Sequence, residues 1–205
     1  MQGNNVEPKD TGNRVCSENE LITSAINGDR NAFGKIVELY AVQVYNLSYR
    51  LTGNEPDAKD LSQEVFCRAL KLIGEFKQES SISTWLHRIA VNLWLNNVKH
   101  GNIVKYESLD KSVVNEEDNE IKREFMSNEL GPEEKVVVKE FNRLLQDALN
   151  ELTPEQRVAF VLKYIEGKSL KEIAKICNCS VSLVGVRLAR ALVTLNGKLK
   201  QYYKT

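Results

Sequence analysis

The sequence has few of the residues that mark secreted or membrane-spanning proteins. Its 205 residues include only four cysteines and four prolines, and the cysteines lack the regular spacing of a secreted disulfide framework. No apolar run approaches the ~20 residues that a membrane span needs, and the polar N-terminus has no signal-peptide hydrophobic region. Strand-like alternation is also absent, whereas helical periodicity is present throughout. We therefore expect a soluble, cytoplasmic, all-α protein.

The formal net charge of zero conceals an uneven distribution of charge. Counting Lys and Arg against Asp and Glu, residues 1–29 hold 2 and 5, residues 30–106 hold 10 and 7, residues 107–140 hold 5 and 11, and residues 141–205 hold 11 and 5. Charges farther apart than a Debye length of roughly 8 Å act almost independently in cellular salt. The chain can therefore present two electropositive surfaces on either side of an acidic segment.

The pattern of helices and polar stretches predicts two small helical domains. Residues 1–17 are predicted to form a disordered tail and residues 18–100 a four-helix domain. Residues 101–131 are polar, acidic and poor in aromatics, which is typical of a flexible linker. A second helical domain is predicted for residues 132–205.

Capping signals place most of the helix starts. Ser17 with Glu20, Thr153 with Gln156, and Ser169 with Glu172 are capping boxes, in which a hydroxyl residue is followed three residues later by Glu or Gln. Glycine or proline follows most of the predicted helices. Beyond a first helix starting after Ser17, the predicted helices span about 31–52, 57–74, 84–99, 132–152, 154–167, 169–177 and 181–195.

The helix predicted at 57–74 has a charged stripe opposite its apolar face. Acidic residues in its first turn are favoured by the helix dipole, and Glu64 can pair with Arg68, which accounts for much of the stripe without a partner. Asp60 and Glu64, however, stand four residues apart with like charge, and Gln63 lies beside them. A basic partner surface would relieve that repulsion, so the sequence leaves both explanations open.

The helix predicted at 84–99 collects cations, amides and a tryptophan on one face. Cations neutralise phosphates, amides pair with base edges, and an exposed tryptophan stacks on a base. The alternative is that Trp85 simply belongs to the core. The preceding loop, Phe76 to Ser83, adds an aromatic ring and several small hydroxyl residues, and together these groups could hold an unpaired base. The face comprises Trp85, Arg88, Asn92, Asn96 and Lys99.

The last two predicted helices have helix-turn-helix spacing, although an ordinary helical hairpin would give a similar pattern. The buried stripe of the second helix is predicted to contain Val181, Val184, Leu188, Ala191, Leu192 and Leu195. The outward residues, which would face a DNA major groove, are Ser182, Leu183, Val186, Arg187 and Arg190. Cys177 and Cys179, in the turn, could ligate a metal or sense oxidants, but two ordinary small turn residues are the simpler interpretation.

Two sets of motifs resemble a known family. The residues of DAKDLSQEVF (57–66), Phe76 and STWLHRIAVN (83–92) resemble region 2 of bacterial sigma factors of the extracytoplasmic-function (ECF) group, within the sigma-70 family. The segments LTPEQR (152–157), Gly167 to Ala174, and Ser180 to Ala191 resemble region 4 of the same family. The resemblance covers about 30–99 and 133–200.

The resemblance implies roles for individual residues. Region 2 would dock on a coiled coil of the largest polymerase subunit through Asp60, Leu61, Gln63, Glu64 and Phe66. It would also open and read the minus-ten element through Phe76, Lys77, Ser80, Ser81, Thr84, Trp85, Arg88, Asn92, Asn96 and Lys99. Region 4 would read the minus-thirty-five element through Ser180, Ser182, Leu183, Val186, Arg187 and Arg190.

The same resemblance implies the partners and the absence of catalysis. The partners would be core RNA polymerase, including the flap of its second-largest subunit, promoter DNA and an anti-sigma factor, often membrane-bound. No cofactor, metal, small-molecule substrate or enzymatic activity is implied. Two alternative hypotheses for the function remain. The protein could be a helix-turn-helix regulator that acts without polymerase, or a degenerate sigma-like module that only titrates an anti-sigma factor.

The predicted recognition helix departs from the family pattern. The family usually has lysine where this chain has Gly185, and a basic residue where it has Leu192. Gly185 also lowers helix propensity by about 1 kcal/mol relative to alanine. Either the minus-thirty-five sequence is unusual, with Leu183 and Val186 touching thymine methyl groups, or this domain binds DNA weakly and relies on region 2.

Overall fold

The fold comes from a computed structural model that describes residues 17–101 and 132–202, with side chains described for 17–101 and 140–197. Within those ranges the chain is helical and contains no β-strand. The predicted tail before Ser17 and almost all of the predicted linker lie outside the described residues. The helices are α1 (Glu18–Ile26), α2 (Arg30–Thr52), α3 (Glu55–Leu72), α4 (Ile82–Lys99), α5 (Pro132–Asn150), α6 (Pro154–Phe160), α7 (Leu170–Ile176) and α8 (Val181–Tyr202).

Side-chain caps begin most of these helices, and the three predicted capping boxes at Ser17, Thr153 and Ser169 are all confirmed. The start of α3 was predicted two residues too late. Asn54 caps it by accepting a hydrogen bond from the Asp57 N–H at 2.9 Å, and Pro56 occupies the first turn, where proline needs no intrahelical donor. The start of α4 was also predicted two residues too late, because Ser81 caps it.

Two other helices also differ from their predicted bounds. The helix predicted to run to Gly167 ends as α6 at Phe160, and Val161–Ile165 continue it as a π-helical turn. The last helix extends to Tyr202 rather than ending near residue 195. Periodicity alone misses a π turn because the apolar residues Val161 and Leu162 stay buried across it.

Helices α1–α4 form the N-terminal domain, in which α2 packs on α1, α3 and α4. Helices α5–α8 form the C-terminal domain, where α8 packs across α6 and α7. The two domains also pack on each other, because α4 contacts α6 and α7, and α2 contacts α6. We call this contact surface the seam.

Arg157 is the central residue of the seam. Its side chain is buried and donates from Nε to the Leu149 carbonyl at 2.9 Å and from Nη1 to the Leu51 carbonyl at 2.7 Å. Its guanidinium also lies over the ring of Trp94, 5.7 Å from the ring centroid. Leu51 and Leu149 lie at the C-terminal ends of α2 and α5, where helix carbonyls lack intrahelical partners. One guanidinium therefore caps a helix in each domain.

The end of α2 lies close against α5. Gly53 ends α2 with φ of +90°, and a Cβ added there would stand 3.0 Å from Asn150 Oδ1 and 3.3 Å from Gln146 Nε2. Beside it, Arg50 Nη2 donates to Asn142 Oδ1 at 2.6 Å. Glycine is needed here for two reasons, namely the left-handed conformation and the close approach of the second domain.

Replacing Arg157 with alanine is expected to lower the free energy of unfolding by about 3 kcal/mol, because two buried carbonyls lose a charged donor. Arg143→Ala is the matched control, since Arg143 is exposed and pairs with Glu140 and Asp147 on its own helix. Its loss should cost about 0.5 kcal/mol. Urea denaturation measures both, and equal effects would contradict the central role of Arg157.

Candidate functional site

The outward side of α3 has an acidic face formed by Asp60, Gln63 and Glu64, all three exposed. Asp57 is not part of it, because its carboxylate accepts from Asn54 Nδ2 at 2.7 Å within the helix cap. No hydrogen bond or ion pair involves Asp60 or Glu64 among the described residues, so the predicted pairing of Glu64 with Arg68 is not formed. The acidic face therefore presents two carboxylates that are available to a partner.

Two of the predicted polymerase-docking residues lie toward the core and not on the acidic face. Leu61 is buried in the core and Phe66 is half-buried against it. Direct contact between Leu61 and a partner was therefore a wrong expectation, since its helical position turns it toward α2 and α4. The exposed thiol of Cys67 lies on the same side as the acidic face, one turn beyond Gln63 and Glu64.

The outward side of α4 has a polar face formed by Arg88, Asn92, Asn96 and Lys99, all exposed as predicted. Their spacing of three to four residues places them along one side of the helix. The loop before α4 extends this surface with Lys77 and Ser80, also exposed. The polar face thus offers two cations and two amides in a row, a combination that suits phosphates and base edges.

Of the two alternatives for Trp85, the structure confirms the core position. Its side chain is 6% exposed, and its ring stacks in a tilted arrangement on Phe76, itself buried, with centroids 5.0 Å apart. Thr84 is buried as well, and its hydroxyl accepts from the Ser81 hydroxyl at 2.9 Å. Phe76 and Trp85 therefore support the loop between α3 and α4 from beneath, and in this conformation neither ring can stack on a base.

Helices α7 and α8 form a helix-turn-helix. Asn178 adopts φ of +48° in the turn, a conformation that asparagine tolerates better than most residues. Ser180, predicted to contact DNA, begins α8 by accepting from the Leu183 N–H at 3.2 Å. The buried stripe contains Val184, Leu188, Ala191 and Leu195 as expected, but the predicted burial of Val181 and Leu192 is wrong, since both are exposed.

The exposed face of α8 contains Ser182, Leu183, Val186 and Arg190. Arg187 is half-buried, and its Nη1 donates to Cys179 Sγ at 3.7 Å. Burial, the largest cause, raises the pKa of Cys177 to about 11, so this thiol stays protonated at neutral pH. No cluster of three metal-ligating side chains occurs within 17–101 and 132–202.

The seam contains a buried polar cluster that sequence reasoning missed. His87 is fully buried on the side of α4 opposite the polar face, and its Nε2 lies 3.5 Å from Glu166 Oε2. Gln43 Nε2 donates to the same carboxylate at 3.4 Å, and Lys168 Nζ donates to Ser83 Oγ at 3.4 Å. The one available signal was a histidine at an apolar position of the predicted helix.

None of the helices in the described parts of the chain is by itself long and apolar enough to span a membrane. Taken together, the two helices Leu170–Ile176 and Val181–Gly197, which meet at a bend of 102°, would be long and apolar enough. That pair is the helix-turn-helix, and its buried apolar residues, such as Ile173, Val184 and Leu188, belong to the hydrophobic core.

Comparison with known proteins identifies the class. Residues 36–102 match the family model described as Sigma-70 region 2, and residues 142–195 match Sigma-70, region 4. The ECF RNA polymerase sigma factor SigW of Bacillus subtilis (strain 168) is 35% identical over 173 residues, which cover 84% of this chain and 91% of that protein. The ECF RNA polymerase sigma factor SigE of Mycolicibacterium smegmatis is 33% identical over 204 residues, covering 96% and 72%.

A solved structure has the same fold. CnrH, in complex with the cytosolic domain of CnrY, aligns with a TM-score of 0.60 and 23% identity, covering 88% of this chain and 96% of that one. Regions 2 and 4 in this order define the sigma-70 class. Within that class, the chain belongs to the ECF RNA polymerase sigma factors.

Lowering the pH is expected to destabilise the fold through His87. Burial first, and then the Lys168 charge, lower the pKa of His87 from 6.5 to about 4. The unfolded imidazole therefore takes up a proton below pH 6.5, while the folded one stays neutral until about pH 4. The free energy of unfolding should fall by ~2 kcal/mol between about pH 7 and pH 5. Burial raises the pKa of Glu166, which offsets part of this loss.

Urea denaturation at the two pH values measures the effect. His87→Gln should lose less stability on acidification than the unmodified chain, because the buried imidazole is gone. His100→Gln is the matched control, since His100 is the other histidine of the chain and is exposed. An unchanged pH dependence in His87→Gln would show that the seam does not hold a neutral imidazole.

Proposed function

We propose that this chain binds core RNA polymerase through the acidic face and directs it to promoters that it opens and reads itself. The polar face of α4 and the loop before it contact the minus-ten element, and the exposed face of α8 contacts the minus-thirty-five element. The protein performs no catalysis and needs no cofactor, because binding energy alone opens the duplex. A cytoplasmic location follows from these partners.

The observation that best supports this proposal is the arrangement of the outward faces of α3 and α4. The two consecutive helices pack together and turn opposite chemistries outward: two carboxylates that are available to a partner on α3, and cations with amides on α4. A basic protein surface complements the first face and a nucleic acid the second. A regulator that acted on DNA without polymerase would have no use for the acidic face.

The proposed function requires the seam to open. Elements at minus ten and minus thirty-five are about 25 base pairs apart, or roughly 85 Å of B-form DNA. A compact body of roughly 150 residues has a radius of gyration of about 15 Å and cannot reach both. The 30 residues between Gly101 and Pro132 can span at most ~100 Å when fully extended. The domains therefore separate when the chain occupies a promoter.

An anti-sigma factor is the second protein partner that we propose. CnrH, which shares this fold, was solved in complex with the cytosolic domain of CnrY. A comparable partner would have to cover the acidic face or the exposed face of α8 to block transcription. The flap of the second-largest polymerase subunit is the proposed contact of the C-terminal domain.

Reconstituted transcription tests the proposal. Core polymerase with the full chain should give promoter-dependent runoff products, and Glu64→Lys should bind core at least tenfold more weakly because it places like charge against a basic surface. Glu38→Lys is the matched control, since Glu38 is exposed on α2, away from the acidic face. Absence of runoff products would refute the promoter function, and core binding without runoff would favour a titrating module.

Substitutions at Trp85 and Arg88 are expected to affect different properties, namely stability for Trp85 and promoter opening for Arg88. Trp85→Ala should lower the free energy of unfolding by about 3–5 kcal/mol, because it removes a buried ring. Arg88→Ala should leave stability unchanged and instead reduce opening of a duplex promoter. Permanganate reactivity of unpaired thymines measures opening, and a premelted promoter fork should restore the activity of Arg88→Ala only in part. An opening defect in a fully folded Trp85→Ala would contradict its supporting role.

A further inference from the structure

The exposed face of α8 is apolar at its centre. Leu183 and Val186 are 41% and 44% exposed and lie three residues apart, so their side chains are neighbours on one side of the helix. We call them the apolar pair. Both belong to the N-terminal half of the second helix of the helix-turn-helix, which is the part of such a helix that meets base edges.

The charges around the apolar pair fit a polyanion. Helix α8 contains no aspartate or glutamate over Val181–Tyr202. Across residues 168–197 there are five lysines and arginines and one carboxylate, Glu172. That carboxylate is committed to the cap of α7, where it accepts from the Ser169 N–H at 2.8 Å. A cationic surface with an apolar centre is better suited to duplex DNA than to a basic or neutral protein.

Ser182 and Arg190 are the exposed hydrogen-bonding side chains on this face, and Leu183 and Val186 between them offer no donor or acceptor. Arg187, the arginine nearest the apolar pair, is half-buried and donates to Cys179 Sγ. Gly185 lies between the two apolar residues in sequence, and a Cβ added there would meet nothing within 4 Å. Glycine has no side chain, so this position adds no hydrogen-bond donor for bases.

These features of the α8 face favour contact with one chemical group of the DNA major groove. The major groove presents donors, acceptors and a single apolar group, the 5-methyl of thymine. We propose that Leu183 and Val186 recognise thymine methyl groups, so that the minus-thirty-five element preferred by this chain has thymine at the positions facing them. The inference rests on the proposed function and deepens it, because it names the chemistry by which region 4 of this chain reads sequence.

Substitution of deoxyuridine for thymine tests the inference, because it removes the methyl group and keeps base pairing. Promoters are first selected from random DNA by the holoenzyme formed with the full chain. Each thymine of the selected minus-thirty-five element is then replaced singly. One or two positions should bind about fourfold more weakly per methyl lost, as expected for one buried methyl group, while flanking positions should not change.

Variants connect the effect to the apolar pair. Leu183→Ala or Val186→Ala should weaken binding to thymine DNA and abolish the difference between thymine and deoxyuridine at one position each. Val193→Ala is the matched control. Val193 is 73% exposed on the same side of α8, but it lies ten residues and therefore ~15 Å beyond Leu183, so its variant should keep the discrimination.

The outcomes separate this inference from the function on which it rests. Specific binding with no sensitivity to deoxyuridine, or a selected element without thymine, would overturn the methyl readout and leave the promoter function intact. Sensitivity that persists in both apolar-pair variants would also overturn it. Failure of the holoenzyme to select any promoter would overturn both.

Discussion

The fold described here depends on how one buried guanidinium is satisfied. Arg157 lies where α2 and α5 end, and it donates to one carbonyl of each helix in a region shielded from water. An arginine can supply several donors in a fixed planar geometry, which lysine cannot. Because the two carbonyls belong to different domains, the same side chain completes the C-terminal domain and attaches it to the N-terminal one. Direct contacts of α4 with α6 and α7 complete the seam.

The seam also explains how the surfaces are distributed. His87 and Trp94, on one side of α4, face the C-terminal domain, whereas Arg88 and Asn92 face away from it. The acidic face of α3 and the exposed face of α8 are likewise outside the seam. The closed arrangement therefore hides no proposed contact residue behind the other domain. What it restricts is the distance between the proposed contact surfaces, since two surfaces on one compact body cannot occupy widely separated promoter elements.

Much of the fold could be predicted from the sequence because its determinants are local. Capping boxes, glycine stops and apolar periodicity involve residues a few positions apart, and they located the helices to within two residues in most cases. Burial that depends on distant residues could not be predicted. Trp85 has the position of an exposed residue on a helical wheel, but Phe76 covers it from the preceding loop. Arg157 and His87 gain their partners from the other domain, about 80 to 100 residues away, and no spacing rule connects them.

The chemistry of Arg157 determines which signals can open the seam. Burial lowers the pKa of this guanidinium to about 10, so it remains charged at any pH that a cell experiences. Acidification can weaken the contact at His87 but cannot discharge the arginine. If polymerase binds the open form, its apparent dissociation constant is the intrinsic value divided by the open fraction. The combined strength of the seam contacts would then set the concentration of free polymerase at which this sigma factor begins to compete.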